Sequence, residues 1–158
     1  MKIIPATLTD WPAIERIYRE GIQTKMATFE TEERIPDGET WFAGKIPDLI
    51  FKIETADGAM GGWAALTAVS SRCVYAGVAE VSIYIAEAAR GRGLGLGLLN
   101  HLIAASERAG LWTLQAGIFG TLERFAKGLR LRKHLLQNEA DLCAGGLVEV
   151  YEQLLEDA

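Results

Sequence analysis

Residues 78–85 alternate between polar and apolar side chains before the chain enters a glycine-rich turn. The segment reads Val-Ala-Glu-Val-Ser-Ile-Tyr-Ile, and its alternation of β-branched and aromatic residues predicts a β-strand. From Leu94 onwards the apolar spacing changes to that of a helix, with Leu98 and Leu102 on the same side. The pattern therefore predicts a strand, a turn over residues 90–93 and a helix in immediate succession.

Similar patterns predict the elements on either side of this unit. Four further strands are predicted, over residues 2–6, 49–55, 60–69 and 111–118. Asp57 and Gly58 lie between two of these strands and are typical of a hairpin turn. A first helix is expected after Thr9 or Asp10, and a short second helix after Asp37. The apolar side of the first helix carries Trp11, Ile14, Tyr18 and Ile22.

Length and composition limit the classes of protein to consider. The 158 residues suit one domain that buries a core without disulfides or metals, and 49% of them are apolar. No apolar run approaches the ~18 residues of a membrane span and no signal segment opens the chain, so we expect a cytoplasmic protein without a membrane partner. Cys73 and Cys143 lack metal-ligand spacing, and we expect reduced thiols and no metal. The formal charge of −5 disfavours a nucleic-acid partner.

The turn at residues 90–95 has the features of an anion-binding site. It reads Arg-Gly-Arg-Gly-Leu-Gly; glycines let backbone N–H groups turn inward, and the start of a helix adds roughly half a positive charge. A P-loop is excluded because no Gly-Lys-Ser/Thr sequence is present. A dinucleotide-binding fingerprint is excluded because Leu96 and Leu98 stand where its last glycine is required. The spacing that fits is Arg-x-x-Gly-x-Gly, matched by the first, fourth and sixth residues of the turn.

This spacing is the pyrophosphate-binding motif of the GCN5-related N-acetyltransferases, which the chain resembles. The sequence G-V-A-E-V-S-I-Y-I followed by A-R-G-R-G-L-G is similar to the phosphinothricin, or methionine sulfoximine, N-acetyltransferase branch. The resemblance implies one domain over residues 1–158 with an α/β (α+β) fold: a central mixed, mostly antiparallel sheet flanked by helices. It also implies acetyl-CoA as co-substrate, acetylation of the α-amine of a small amino acid or analogue, and a homodimer. The alternatives left open are an acetyltransferase for a protein N-terminus or a polyamine, and an inactive acyl-CoA-binding protein.

The resemblance assigns the cofactor to the central strand and the turn. Backbone N–H groups of residues 91–96 would hold the pyrophosphate, and Arg90 and Arg92 would add positive charge. The main chain of residues 83–85 would pair with the pantetheine arm like an added strand, and a bulge there would supply an N–H group to the thioester oxygen. The predicted cofactor-binding residues are Ile83, Tyr84, Ile85, Arg90, Gly91, Arg92, Gly93, Leu94, Gly95 and Leu96.

Glu80 is the residue that the resemblance assigns as general base, because only the neutral amine attacks a thioester. We expect its carboxylate to be partly buried beside Val78 and Val81, as a base that works near neutral pH requires. From position alone, an exposed strand glutamate paired with a lysine is an equal alternative. Tyr84 is interpreted either as a hydrogen-bond donor to the leaving thiolate or as a packed strand tyrosine.

Substrate contacts are predicted from two loops and the start of the central strand. The carboxylate of an amino acid suits a fork-shaped guanidinium, and Arg72 lies where the family's substrate loop lies. Phe29 matches the loop that closes over the substrate. The alternatives are a solvated turn arginine and a core phenylalanine. The predicted substrate-binding residues are Ser70, Ser71, Arg72, Glu80, Val81, Ser82 and Phe29.

The resemblance ends after Phe119, which makes residues 120–158 a divergent C-terminal part. The Leu-His-Glu and Gly-Phe sequences of the family are missing at the expected places. The pattern predicts a basic helix over residues 121–137, which either stays in solvent or brings Arg124 and Lys127 near the cofactor's phosphates. A divergent element and an altered reading frame both remain open as origins of this part.

Overall fold

A mixed β-sheet with helices on both faces is the framework of the described chain. A computed structural model describes residues 1–119 together with the strands Arg132–His134 and Val148–Leu154. The strands are β1 (Lys2–Pro5), β2 (Ile50–Glu54), β3 (Met60–Ala68), β4 (Val78–Ile85), β5 (Thr113–Phe119), β6 (Arg132–His134) and β7 (Val148–Leu154). They lie in the order β1-β2-β3-β4-β5-β7-β6, and in the described sheet only β4 and β5 run parallel. The predicted α/β class and its mostly antiparallel sheet are confirmed.

One face of the sheet is covered by α1 (Trp11–Gln23) and α2 (Gly38–Ala43). Ile14 and Ile17 of α1 are fully buried. The indole Nε1 of Trp63, which is 1% exposed on β3, donates a hydrogen bond to the Ile14 carbonyl at 3.2 Å. This bond satisfies the polar atom of the largest fully buried side chain and ties α1 to the middle of the sheet.

The opposite face is covered by α3 (Leu94–Arg108). Leu98 and Leu102 of this helix are fully buried in one apolar cluster with Ala64 and Leu66 of β3. Burying a leucine side chain contributes about 1.5–3 kcal/mol. The predicted leucine stripe of the helix is confirmed, and it fixes the start of α3 against the centre of the sheet.

The loops that bound these elements follow the predicted turn chemistry. Gly58 between β2 and β3 has a φ of +82°, which glycine adopts without strain. The Asp37 carboxylate accepts a hydrogen bond from the Thr40 N–H at 2.8 Å and caps α2. The pairing of β3 with β4 is regular over the whole of its length. The bulge that the resemblance implied in β4 is therefore not present in this pairing.

The predicted basic helix over residues 121–137 is wrong at Arg132–His134, which form β6. β6 pairs antiparallel with β7, and β7 pairs antiparallel with β5. The spacing of leucines along the sequence favoured a helix, whereas pairing with a distant strand determines the structure here. The rest of that prediction, with Arg124 and Lys127, lies outside the described residues.

Candidate active site

The turn between β4 and α3 has the geometry that an anion-binding loop requires. Gly91 and Gly93 both have a φ of +75°, in the left-handed region that favours glycine. The first helical hydrogen bond runs from the Gly97 N–H to the Gly93 carbonyl at 3.1 Å. The N–H groups of residues 94–96 consequently lack partners within the helix and point out of its N-terminal end. An anion such as a phosphate is favoured at this position.

Two arginines flank this turn, and both are exposed. The Nε of Arg90 donates a hydrogen bond to the Ile85 carbonyl at 3.3 Å, which holds the guanidinium at the end of β4. Arg92 lies on the side of the β2–β3 turn. The pKa of Asp57 there is below its ordinary value, mainly because the Thr55 hydroxyl donates to its carboxylate, and the charge of Arg92 adds to this effect. Both guanidinium groups are accessible to an anionic ligand.

The edge of β4 that faces β5 is open beyond Glu80. In the described sheet the parallel pairing with β5 ends at this residue. The Ala86 N–H donates to the Gly61 carbonyl on the β3 side at 2.9 Å. Successive residues of a strand direct their N–H and C=O groups to alternate edges, so those of Ile83 and Ile85 point to the open edge. A ligand arm that adds here as an extra strand would meet these two residues, whereas the main chain of the residue between them bonds to β3.

The side chains of β4 divide between the two faces of the sheet. Tyr84 stacks on Trp63 with ring centres 4.7 Å apart, which places it on the face that α1 and α2 cover. Glu80 and Ser82 share that face because side chains alternate along a strand. Val81 lies on the opposite face and packs against the core. Its side chain is partly buried there, and a substrate contact by Val81 stays a prediction.

Glu80 is exposed at the start of β4, so the expected partial burial is wrong. The aromatic side chains that cover this face lie near Tyr84, at the other end of the strand. Thr67 of β3 lies directly opposite Glu80. The structure thus presents the carboxylate to solvent at the end of the open edge, and its role as general base stays a prediction.

Tyr84 is packed on three sides. Its ring lies edge-on to Tyr18 at 4.9 Å as well as stacking on Trp63. A Cβ atom at Gly21 would lie 2.5 Å from the ring, so only glycine fits there without a shift. Burial raises the pKa of the Tyr84 phenol well above its ordinary value, with smaller contributions from Tyr18 and nearby carboxylates, while the Thr28 hydroxyl acts in the opposite direction. The phenol therefore keeps its proton at neutral pH, and a hydrogen bond from it to the leaving thiolate stays a prediction.

One predicted substrate loop leads into the strand that carries Glu80, and the other lies beside Tyr84. Arg72 and Ser71 are exposed in the loop from β3 to β4, and the Arg72 N–H donates to the Ser70 hydroxyl at 3.2 Å. Phe29 is 53% exposed in the loop from α1 to α2, next to the Thr28 hydroxyl beside Tyr84. The core alternative for Phe29 is therefore wrong. Substrate contacts by these loops stay predictions.

Lys45 is a charged residue near Glu80 that the sequence analysis missed. It follows α2, and its Nζ donates a hydrogen bond to the Thr67 hydroxyl at 3.0 Å. The same Nζ lies 5.0 Å from the ring centre of Trp41. Burial lowers the pKa of Lys45, and the charge of Glu80 acts in the opposite direction. No local pattern marks such a residue, because residues 45, 67 and 80 meet only through the sheet register and the placement of α2.

Potential metal ligands, helices and cysteines can also be located in the part of the chain that the structure describes. Within that part, no three His, Cys, Asp or Glu side chains are grouped so as to hold a metal ion. Its helices are too short or too polar to cross a membrane. Cys73 is an exposed free thiol there, whereas Cys143 lies outside the described residues.

Residues 11–138 match the model of the Acetyltransferase (GNAT) family. The chain belongs to this family. It is therefore an acetyltransferase by family, as the glycine turn and the strand before it indicated.

Two curated relatives cover the same region. YwnH of Bacillus subtilis (strain 168), which is named provisionally as a phosphinothricin acetyltransferase, is 35% identical over 113 residues, or 70% of this chain and 69% of YwnH. The phosphinothricin N-acetyltransferase of Alcaligenes faecalis is 33% identical over 108 residues. That alignment takes in 65% of this chain but spans only about half, 53%, of the Alcaligenes protein.

A solved structure of similar fold is the GNAT superfamily phosphinothricin acetyltransferase of Sinorhizobium meliloti, in complex with AcCoA. It superimposes with a TM-score of 0.80, covers 98% of this chain and 88% of its own, and is 23% identical. At this identity the likeness establishes the fold.

Proposed function

We propose that this chain transfers the acetyl group of acetyl-CoA to the α-amine of a small amino acid or analogue, with Glu80 as the general base. Acetyl-CoA is the co-substrate. One observation carries the proposal: the open edge of β4 extends from Glu80 towards the glycine turn. From Glu80 to Ile85 the strand spans five residue steps, or about 16 Å, and the turn begins at Arg90, after residues 87–89. An extended cofactor arm on this edge would connect a phosphate site at one end to a carboxylate at the other.

The chemistry of the transfer assigns a task to each end of this edge. The amine must lose its proton before its nitrogen attacks the thioester carbon, and the Glu80 carboxylate is the acceptor on the same face. As the C–N bond forms and the C–S bond breaks, negative charge develops on the carbonyl oxygen and then on the leaving sulfur. The N–H groups of Ile83 and Ile85 face the open edge, where a donor to that oxygen is needed.

The substrate class is supported by the relatives and by the charge of the loops. The relatives named as phosphinothricin acetyltransferases act on an amino-acid analogue, according to their names. Arg72, with its exposed guanidinium near the Glu80 end of the sheet, offers a fork-shaped partner to a carboxylate.

The proposal is tested by binding and turnover on one panel of compounds. Thermal unfolding is measured with acetyl-CoA, with CoA, and with free amino acids including phosphinothricin and methionine sulfoximine. Release of free thiol from acetyl-CoA is then followed with each amino acid, with a polyamine and with a short peptide that has a free N-terminus. We expect stabilisation by acetyl-CoA and thiol release that depends on an amino acid, with the acetyl group on its α-nitrogen by mass spectrometry.

Each alternative predicts a different result on this panel. Thiol release with the peptide or the polyamine alone would reassign the acceptor within the same reaction. Stabilisation by acetyl-CoA without thiol release on any amine would instead identify an acyl-CoA-binding protein and contradict the proposal.

A further inference from the structure

Lys45 occupies a position that its structural contacts do not fully explain. Its ammonium is half-buried, held by one hydrogen bond to the Thr67 hydroxyl at 3.0 Å and placed over the Trp41 ring at 5.0 Å. Withdrawing an ammonium from water is costly unless an anion compensates for it. None of the ion pairs in the described residues includes Lys45. A half-buried cation that makes no ion pair of 4.0 Å or less among these residues is suited to a ligand that brings an anion to it.

The nearest carboxylate on the same face belongs to Glu80. Thr67, which fixes the Lys45 ammonium, lies directly opposite Glu80 in the pairing of β3 with β4. Residues that face each other in a hydrogen-bonded antiparallel pair have Cα atoms about 5.5 Å apart. The Lys45 ammonium and the Glu80 carboxylate thus approach one small area of the sheet, yet they are not joined in an ion pair of 4.0 Å or less in the described structure.

An ammonium held in place near an exposed carboxylate, without an ion pair between them, is complementary to a zwitterion. An α-amino acid carries its ammonium and its carboxylate on the same carbon atom. Its ammonium would meet the Glu80 carboxylate, as the transfer requires, while its carboxylate would meet the Lys45 ammonium. A polyamine has no group for Lys45, and its positive charges are repelled by it.

We propose that Lys45 binds the α-carboxylate of the amino-acid substrate and so selects amino acids over simple amines. The inference rests on the proposed function, whose acceptor class it explains. It makes Lys45 a specificity residue from the loop after α2, in addition to the predicted contact of Arg72 from the loop before β4.

The test compares two probes: one carries a charged carboxylate, and in the other a methyl ester replaces it with a neutral group. Methionine sulfoximine and its methyl ester are titrated by calorimetry into the CoA-saturated protein, and KM and kcat are measured for both with acetyl-CoA. Lys45→Met removes the charge and keeps an apolar stem on Trp41, while Lys45→Arg keeps the charge. Lys52→Met is the matched control, because Lys52 is a partly buried lysine that pairs with Asp10, two strands away from β4.

We expect Lys45→Met to weaken methionine sulfoximine at least tenfold, or about 1.4 kcal/mol, with no loss of affinity for the methyl ester. Lys45→Arg is expected to restore most of the affinity, and Lys52→Met to leave the ratio of the two probes unchanged. Equal losses on both probes, or a fall in kcat with unchanged KM, would overturn the inference and indicate that Lys45 acts on Glu80 instead.

The calorimetric binding measurements distinguish a failure of this inference from a failure of the proposed acetyl transfer. If the wild type binds methionine sulfoximine but acetylates no amine, the proposed function fails. The affinities of the acid and the ester for the Lys45 variants then still show whether Lys45 binds the carboxylate. If it acetylates amines but binds the acid and the ester equally, the acetyl transfer stands and the role of Lys45 is overturned.

Discussion

Replacing Gly93 by alanine tests whether the turn before α3 binds the cofactor through its backbone. Gly93 has a φ of +75°, and a Cβ atom there would meet no heavy atom within 4 Å. The change therefore causes no clash, but it places an L-residue in the left-handed region, at a cost of about 1–2 kcal/mol. For a chain of this size, we expect the midpoint of thermal unfolding to fall by roughly 2–8 °C.

Gly110 provides a matched control for this loss of stability. Its φ is +79°, and a Cβ atom there also meets nothing within 4 Å. It lies just after α3, at the opposite end of the helix from Gly93. Gly110→Ala should therefore lose about as much stability as Gly93→Ala without changing the cofactor site.

The affinity for acetyl-CoA should distinguish the two variants. Gly93 precedes the free N–H groups of residues 94–96, so a distorted turn or a methyl group in front of them removes at least one hydrogen bond to a charged phosphate. Such a bond contributes about 1.5–3 kcal/mol, and its loss weakens binding by roughly 10- to 150-fold. Titration calorimetry with acetyl-CoA measures this directly. Wild-type affinity in Gly93→Ala, together with a stability loss equal to that of Gly110→Ala, would refute the assignment of the turn.

Three further changes test other parts of the structure. Arg72→Ala should raise KM for amino acids far more than for the corresponding amines without a carboxylate; equal losses would make Arg72 structural. Asp10→Asn should cost about 1–3 kcal/mol in urea unfolding at neutral pH, because it breaks the 2.6 Å ion pair with Lys52. Burial raises the pKa of Asp10, but hydrogen bonds from Lys52 and Thr7 outweigh this effect and hold the pKa below its ordinary value. The stabilisation is therefore present above the unfolded pKa and lost as the pH falls through the folded pKa, so a difference that persists in acid would contradict the assignment. Gly21→Ala should destabilise by about 1–3 kcal/mol, because its Cβ atom would lie 2.5 Å from the Tyr84 ring; a neutral effect in the same assay would show that the ring can move.

The sequence was sufficient to predict the elements whose patterns are local. Strand β4 carries alternating β-branched and aromatic residues, and α3 has an unbroken leucine stripe. The glycine turn was found for the same reason, because spacing along the chain alone defines it. The predictions failed where contacts between segments far apart in the sequence determine the local structure. Residues 132–134 lie in a basic stretch with helical spacing, yet they pair with β7.

The candidate site was predictable only to the extent that its groups lie on one strand. Alternation places Glu80 and Tyr84 on the same face, but it does not indicate which end of that face the helices cover. Aromatic side chains from α1 and β3 pack around Tyr84. Glu80, at the other end of the strand, is therefore left exposed. Lys45 joins this face through the Thr67 hydroxyl, a contact across 22 residues that no motif records.

The most direct test of the account is the activity of Glu80→Gln, measured on the same preparation as its affinity for acetyl-CoA. Glutamine keeps the size of the side chain but does not accept a proton near neutral pH. We expect kcat with the preferred amino acid to fall by about 10²–10⁴-fold, with acetyl-CoA affinity unchanged and with Glu107→Gln, an exposed glutamate at the end of α3, as the active control. A Glu80→Gln variant that retains most of its activity across the neutral and alkaline range would contradict the central claim, because the proton would then pass to water or to another residue.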